Sequence, residues 1–264
     1  MKQVGVIGAG VMGEALIAAL ITYGIPANSI VISEKRSERA EELVQRYGIQ
    51  ASDLATNVST ADALLLVVKP QDMSAVLEEI KSDIKTSALV ITFAAGKKIS
   101  FIEDCLGTGN PVIRVMPNTP TLVGAGMAAM SLGAGVSSDQ ALFVSGFLGA
   151  TGKVIEVTED LQDAVTATSG SGPAYFFRFV EAMVSAAQEL GLSPTDASTL
   201  TIQTIVGAAK LLDESGKSAT TLRENVTSPN GTTAAALASF EEDKISEVIS
   251  KAMTAARNRS QELA

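Results

Sequence analysis

With 264 residues, 46% of them hydrophobic and 19% charged, the chain has the composition of an ordinary folded protein, with room for one large domain or two modest ones. A formal charge of −9, with basic residues no denser than the pairs Lys35-Arg36 and Lys97-Lys98, argues against nucleic acid as a partner. The single cysteine, Cys105, rules out an internal disulfide, and the lack of histidine removes the commonest general acid–base and metal ligand. No metal site is expected, and any chemistry must use hydroxyls, amides, charged groups or a cofactor.

The chain begins on a short apolar run, Val4, Val6 and Ile7, with no basic leader or cleavage site before it. No run approaches the roughly 18 apolar residues of a bilayer span, so a cytoplasmic protein without membrane contact is expected. A helix follows in "VMGEALIAALITYG", apolar at 12, 15, 16, 19 and 20 and stopped by Gly24. "SIVIS" (29–33) reads as a second strand and "SERAEELVQRYG" as a charged helix. Further strands lie in "ADALLLVVKP" (61–70), "ALVITFAAG" (88–96) and "PVIRVMPNTP" (111–120). Near-continuous apolar strands separated by helices predict a parallel sheet covered on both faces.

The first strand runs into "VIGAGVMGEAL", which places Gly8, Gly10 and Gly13 in the spacing G-x-G-x-x-G, with Val11 and Met12 between the last two. In this pattern the first glycine makes a tight turn, the second lets backbone approach a pyrophosphate, and the third brings helix close to sheet. Its position between a predicted strand and helix supports dinucleotide binding. At the end of the second strand stand Ser33, Glu34, Lys35 and Arg36. An acid there suits the ribose hydroxyls of NAD, while adjacent bases suit the 2′-phosphate of NADP. Both signals are present.

From about Asp160 the period becomes helical, the change falling in "VIEVTEDL" near residues 157–162. "GPAYFFRFVEAMVSAAQELG" carries Phe176, Phe179, Val180, Met183, Val184, Ala187 and Leu190 on one stripe. Ser193-Pro194 caps a helix over roughly 194–214 that is apolar on more than one side, which predicts burial against a second subunit. The later stretch "VTSPNGTTAAAL" combines a Pro, an Asn-Gly turn and a helix start at Thr232 or Thr233. That corner is either an anion site built on unpaired N–H groups or a plain helix cap.

Together "GVIGAGVMGEAL", "VVKPQ", "FAAG", "RVMPNTP", "ATSGSGPAY" and "VTSPNGTTAAAL" resemble, in order and spacing, the signature segments of the pyrroline-5-carboxylate reductase family. The resemblance implies an α/β chain with a Rossmann-type NAD(P)-binding domain over 1–158 and an all-helical dimerisation and substrate-binding domain over 159–264. It implies reduction of Δ1-pyrroline-5-carboxylate to L-proline by NADPH, with NAD as the alternative cofactor, in a homodimer that assembles further into rings. It puts the substrate carboxylate at Ser228, Asn230, Gly231, Thr232 and Thr233, with the Thr233 hydroxyl on the ring nitrogen as the catalytic contact. Cofactor contacts are implied for Gly8, Gly10, Val11, Met12, Gly13, Ser33, Glu34, Lys35, Arg36, Asn57, Val68, Lys69, Pro70, Ala95, Gly96 and Pro117. Asn118, Thr119, Ser169, Ser171 and Gly172 are placed beside the pocket. Glu34 departs from the neutral residue common in the family. A hydroxyacid-dehydrogenase reading needs an Asn one turn after a helical lysine, whereas Lys210 is followed by Glu214.

Overall fold

The computed structural model describes residues 1–263; Ala264, the last residue of the expected second domain, lies outside them. The chain forms two compact units, one of Met1–Pro173 joined by the chain from Ala255 onward, the other of Ala174–Thr254.

In the first unit β1 (Val4–Ile7), β2 (Ile30–Ser33), β3 (Gln50–Ala51), β4 (Ala63–Leu66), β5 (Leu89–Thr92), β6 (Val112–Met116), β7 (Gly126–Leu132) and β8 (Gly152–Glu156) form one sheet. The order is β3-β2-β1-β4-β5-β6-β7-β8. Pairing is parallel from β3 to β6, with Val4 opposite both Ile30 and Ala63. The expected parallel pairing holds through β6, and β7, a strand not expected from the sequence, runs antiparallel to β6 with Val115 opposite Met130. Residues 117–125 hold only a 3₁₀ turn, Thr119–Val123, and a parallel crossover needs a longer connection. β8 then returns parallel to β7 across a helix.

Helices α1 (Val11–Tyr23), α2 (Ser37–Tyr47), α3 (Leu54–Thr60), α4 (Met73–Ile80), α5 (Ile99–Leu106) and α6 (Ser138–Gly149) cover the sheet. Side-chain alternation divides the core. Leu65, Ile91 and Ile113 pack with Leu16, Leu20 and Phe147 on one face, while Leu64, Leu66 and Val90 pack with Leu77, Ile80 and Ile102 on the other. Strands apolar on both faces are what a doubly covered sheet requires, and each fully buried Leu contributes roughly 2 kcal/mol.

Beyond the expected boundary at 158/159 the chain stays with the sheet. Arg114 of β6 is 5% exposed at its side chain and pairs with Glu159 at 3.3 Å and Asp163 at 3.6 Å. Glu159 also accepts the Ile99 N–H, and Gln162 of the short helix α7 (Gln162–Val165) donates to Ala129 O and Ser131 Oγ. Asp163 accepts from Ser260 Oγ at 2.7 Å, which returns the chain end to this unit. The π-helical segment Thr166–Gly170 follows, closed by the Ser171 N–H on Thr166 O.

The second unit draws on α8 (Gly172–Glu189), α9 (Pro194–Glu214), α10 (Ala219–Asn225), α11 (Thr232–Glu242) and α12 (Ile245–Glu262). Ser193 caps α9 by accepting the Asp196 N–H, with Pro194 in its first turn, and Ser218 caps α10 through the Thr221 N–H. Large apolar side chains stand exposed along these helices, among them Phe176, Phe177, Leu200, Val206 and Val248. A surface of this kind marks an association face.

Arg114→Ala leaves two carboxylates facing each other without their cation, and should cost about 3 kcal/mol in urea unfolding. A loss below about 0.5 kcal/mol would mean that solvent screens the cluster.

Candidate functional site

The order of strands reverses between β1 and β4, and a cleft of about 580 Å³ opens at their carboxyl ends. Its wall includes Gly8, Gly10, Ser33, Glu34, Lys35, Arg36, Val68 and Lys69 of the sequence-predicted set. Gly8 turns at φ +88°, and its N–H donates to Ser33 O, tying the glycine loop to β2. A Cβ on Gly13 would lie 2.4 Å from Gly8 O, so only glycine lets α1 start this close to the loop. Gly10 has no neighbour within 4 Å on its Cβ side and is open to an approaching group. Among the described residues the N–H groups of Val11, Met12 and Gly13 have no partner, and no side chain caps α1. An open glycine at an uncapped helix N-terminus fits the pyrophosphate of a dinucleotide.

Glu34 closes the cleft at the end of β2. Its side chain is 9% exposed; Oε2 accepts the Ala9 N–H at 2.9 Å, and Oε1 accepts both Arg36 Nε at 3.0 Å and the Arg36 N–H at 3.1 Å. Burial works against its ionisation, but the Arg36 guanidinium and the two amides outweigh it and hold the carboxyl below the ordinary 4.5. Asp53, at the start of α3, also lines this side and is held ionised by the Thr56 N–H and hydroxyl. Sequence reading missed Asp53, although an Asp four residues before the buried Asn57 is a legible helix cap. It missed Ser52, Leu54, Asp72, Val76 and Glu79 as well, all in the wall.

Other predicted cofactor residues lie outside that wall. Asn57 is fully buried and donates through Nδ2 to Val31 O and Ser33 Oγ, so it braces the β2 end from beneath and reaches the cleft only through Ser33. Gly96 was expected to make room for cofactor. At φ +78° it instead makes room for the chain end, since a Cβ there would meet Ser260 O and Leu263 Cβ, each at 2.7 Å. Pro117 is buried, Pro70 and Ala95 are partly so, and none of the three belongs to the cleft. Asn118 braces its loop by accepting the Met127 N–H and donating to Ser169 O of the π segment, and Gly170 there packs on the Met116 methyl group. Thr119 is exposed, whereas Ser171 is partly buried and Gly172 buried.

In the second unit Ser228-Pro229-Asn230-Gly231 forms a turn closed by the Gly231 N–H on Ser228 O at 3.0 Å. The positive φ falls on Asn230 at 62°, while Gly231 is extended at −81°. Proline second and a left-handed Asn third is the pattern of a type II turn. Helix α11 starts at Thr232 with Gly231 as its N-cap and no side-chain cap bond, so neither threonine caps it. Among the described residues the N–H groups of Thr232, Thr233 and Ala234 have no partner. Ser228 and Asn230 are exposed and Thr233 is partly buried. Such an end attracts anions.

Fold and cleft define a dinucleotide-binding α/β protein of the oxidoreductase type. Residues 159–263 match the family model described as pyrroline-5-carboxylate reductase dimerisation, and residues 3–96 match the model described as NADP oxidoreductase coenzyme F420-dependent. The chain is 40% identical to the pyrroline-5-carboxylate reductase of Corynebacterium melassecola, over 100% of its own length and 99% of the relative's. It is 40% identical to that of Pseudomonas aeruginosa, over 99% and 97%. The solved pyrroline-5-carboxylate reductase of Coxiella burnetii superposes with a TM-score of 0.91 at 36% identity, covering 100% of this chain and 98% of that one. The Plasmodium falciparum enzyme, solved with NADP bound, gives 0.89 at 29% identity, covering 99% and 98%. The chain belongs to the pyrroline-5-carboxylate reductase family.

Glu14, in the first turn of α1, resembles Glu34 electrostatically: burial opposes its charge, and Arg39, Tyr47 and Arg46 prevail, so its carboxyl lies below 4.5. Both groups contribute stability that is complete above about pH 4.5 and is lost as pH falls through their lower folded-state values. Glu14→Gln should therefore lower the urea midpoint at neutral pH but reduce the further drop measured at about pH 3.5. An undiminished drop would remove Glu14 from the acid response.

Proposed function

We propose that this protein reduces the C=N bond of Δ1-pyrroline-5-carboxylate to give L-proline in the cytoplasm, using NADPH with NADH as the alternative. The observation that carries this reading is the end-to-end likeness to pyrroline-5-carboxylate reductases, at 40% identity with no part of the chain left over. No helix among the described residues is long and apolar enough to cross a membrane, and no His, Cys, Asp or Glu cluster there could hold a metal.

When bound, the dinucleotide supplies a hydride to the imine carbon. The remaining work belongs to the chain. The amides that open α1, at Val11, Met12 and Gly13, would hold the pyrophosphate beside the open Gly10, and Val68 and Lys69 line the same cleft. The substrate is a small acid, and the uncapped N–H groups of Thr232, Thr233 and Ala234 anchor its carboxylate beside Ser228, Asn230 and Gly231. The Thr233 hydroxyl donates to the ring nitrogen and fixes the imine plane. A hydroxyl of ordinary pKa is a poor acid, so its role is positioning and the proton comes from water. The exposed apolar helix faces of the second unit associate with a second copy in a homodimer, and such dimers build larger rings.

Cofactor choice turns on Glu34 and Arg36. A 2′-phosphate would take the Arg36 guanidinium nitrogens that the Nε bond to Glu34 leaves over, whereas a free ribose hydroxyl would donate to Glu34 itself.

Absorbance of the reduced cofactor gives the test. Pyrroline-5-carboxylate should support its oxidation and a 2-oxo acid should not; the reverse would overturn the reading. Thr233→Ala should lower kcat roughly tenfold or more with cofactor affinity retained, and unchanged kinetics would remove Thr233 from the reaction. Glu34→Ser should raise the preference for NADPH over NADH by about tenfold, and a constant ratio would exclude Glu34 from the choice.

A further inference from the structure

Ala9, between Gly8 and Gly10, is gripped at both of its backbone polar groups, one in each of the peptide units that flank it. Its N–H goes to Glu34, and its carbonyl accepts Arg39 Nε at 3.2 Å. Arg39 comes from the first turn of α2 and is 16% exposed. The rest of its guanidinium is committed, with one nitrogen on Glu14 of α1 and another on Glu42 at 2.6 Å. Glu14 is fixed in turn by Arg46 and by the Tyr47 hydroxyl at 2.9 Å. Arg39 does not line the cleft, whereas Lys35 and Arg36 do.

We propose that Arg39 is a positioning residue for dinucleotide binding, acting through the Ala9 carbonyl to hold the glycine loop in its binding shape. A loop with glycines on both sides of one residue has much conformational freedom to lose on ordering. A guanidinium fork that spans the loop carbonyl and the first turn of α1 removes that freedom before the cofactor arrives, and affinity rises because less ordering remains to be done. The pyrophosphate is common to NADH and NADPH, so the effect is the same for both. A residue that read the 2′-phosphate would act on NADPH alone.

The inference rests on the dinucleotide-reductase reading, and direct binding separates the two. The fluorescence of the reduced nicotinamide ring reports the binding of NADPH or NADH directly. Titrations use the full-length protein and its Arg39→Lys, Arg39→Met and Arg46→Gln variants, with thermal unfolding run alongside. Arg39→Lys keeps a charge for Glu14 but cannot span both acceptors, so it remains informative if Arg39→Met fails to fold. Both Arg39 variants should weaken NADPH and NADH by about tenfold and by the same factor. Arg46→Gln, which disturbs the same carboxylates without touching the loop, should bind as the parent does. Unchanged affinity in Arg39→Lys, loss confined to NADPH, or an equal loss in Arg46→Gln would overturn the proposal. Failure of the parent to bind either dinucleotide would instead overturn the functional reading.

Discussion

The close approach of α1 to the glycine loop governs the first unit. Because a Cβ at Gly13 would sit 2.4 Å from Gly8 O, helix and loop meet at backbone distance. That contact keeps the unpaired amides of the helix start next to Gly8 and Gly10 of the cleft wall and lets Leu16 and Leu20 reach the core beneath. A side chain there would push α1 outward, open the core and draw the amides back from the cleft. Packing and anion binding thus depend on the same missing methyl group.

Electrostatics adds a second layer. Glu34 and Glu14 lie on two sides of the loop, and each is kept ionised by guanidinium and hydrogen-bond donors against the cost of burial. Through Glu34 and Arg39 the two peptide units that flank the Ala9 Cα are fixed, one at its N–H and the other at its carbonyl. In a chain of net charge −9 the overall field is repulsive to an anion, so the proposed anion contacts would rest on local backbone dipoles and nearby arginines.

The helical unit poses a different physical problem. Its helices leave Phe176, Phe177, Leu200 and Val206 exposed, whereas the first unit buries most of its large apolar side chains in two cores. This asymmetry accords with the dimerisation model matched over 159–263. It also places the turn at Asn230 and the uncapped start of α11 on a unit whose apolar faces call for a further chain.

Local chemistry determined much of this protein from sequence alone. Alternating apolar strands and helices specified β1, β2 and β4 to β6 of the doubly covered sheet but not the two-residue β3, glycine spacing specified the loop, and Ser193-Pro194 marked the start of α9 to the residue. These signals are short-range, set by periodicity, φ preference and capping. Strand β7 escaped notice because its "GMAAMSL" lacks β-branched residues, and its antiparallel direction follows from the short link before it. Only tertiary packing decided the rest. Asn57 lies under the cleft, Gly96 accommodates the chain end, Pro117 is buried, and Arg39 bonds a carbonyl thirty residues away at Ala9. Each of these depends on which distant backbone arrives beside the residue, a quantity that no local pattern encodes.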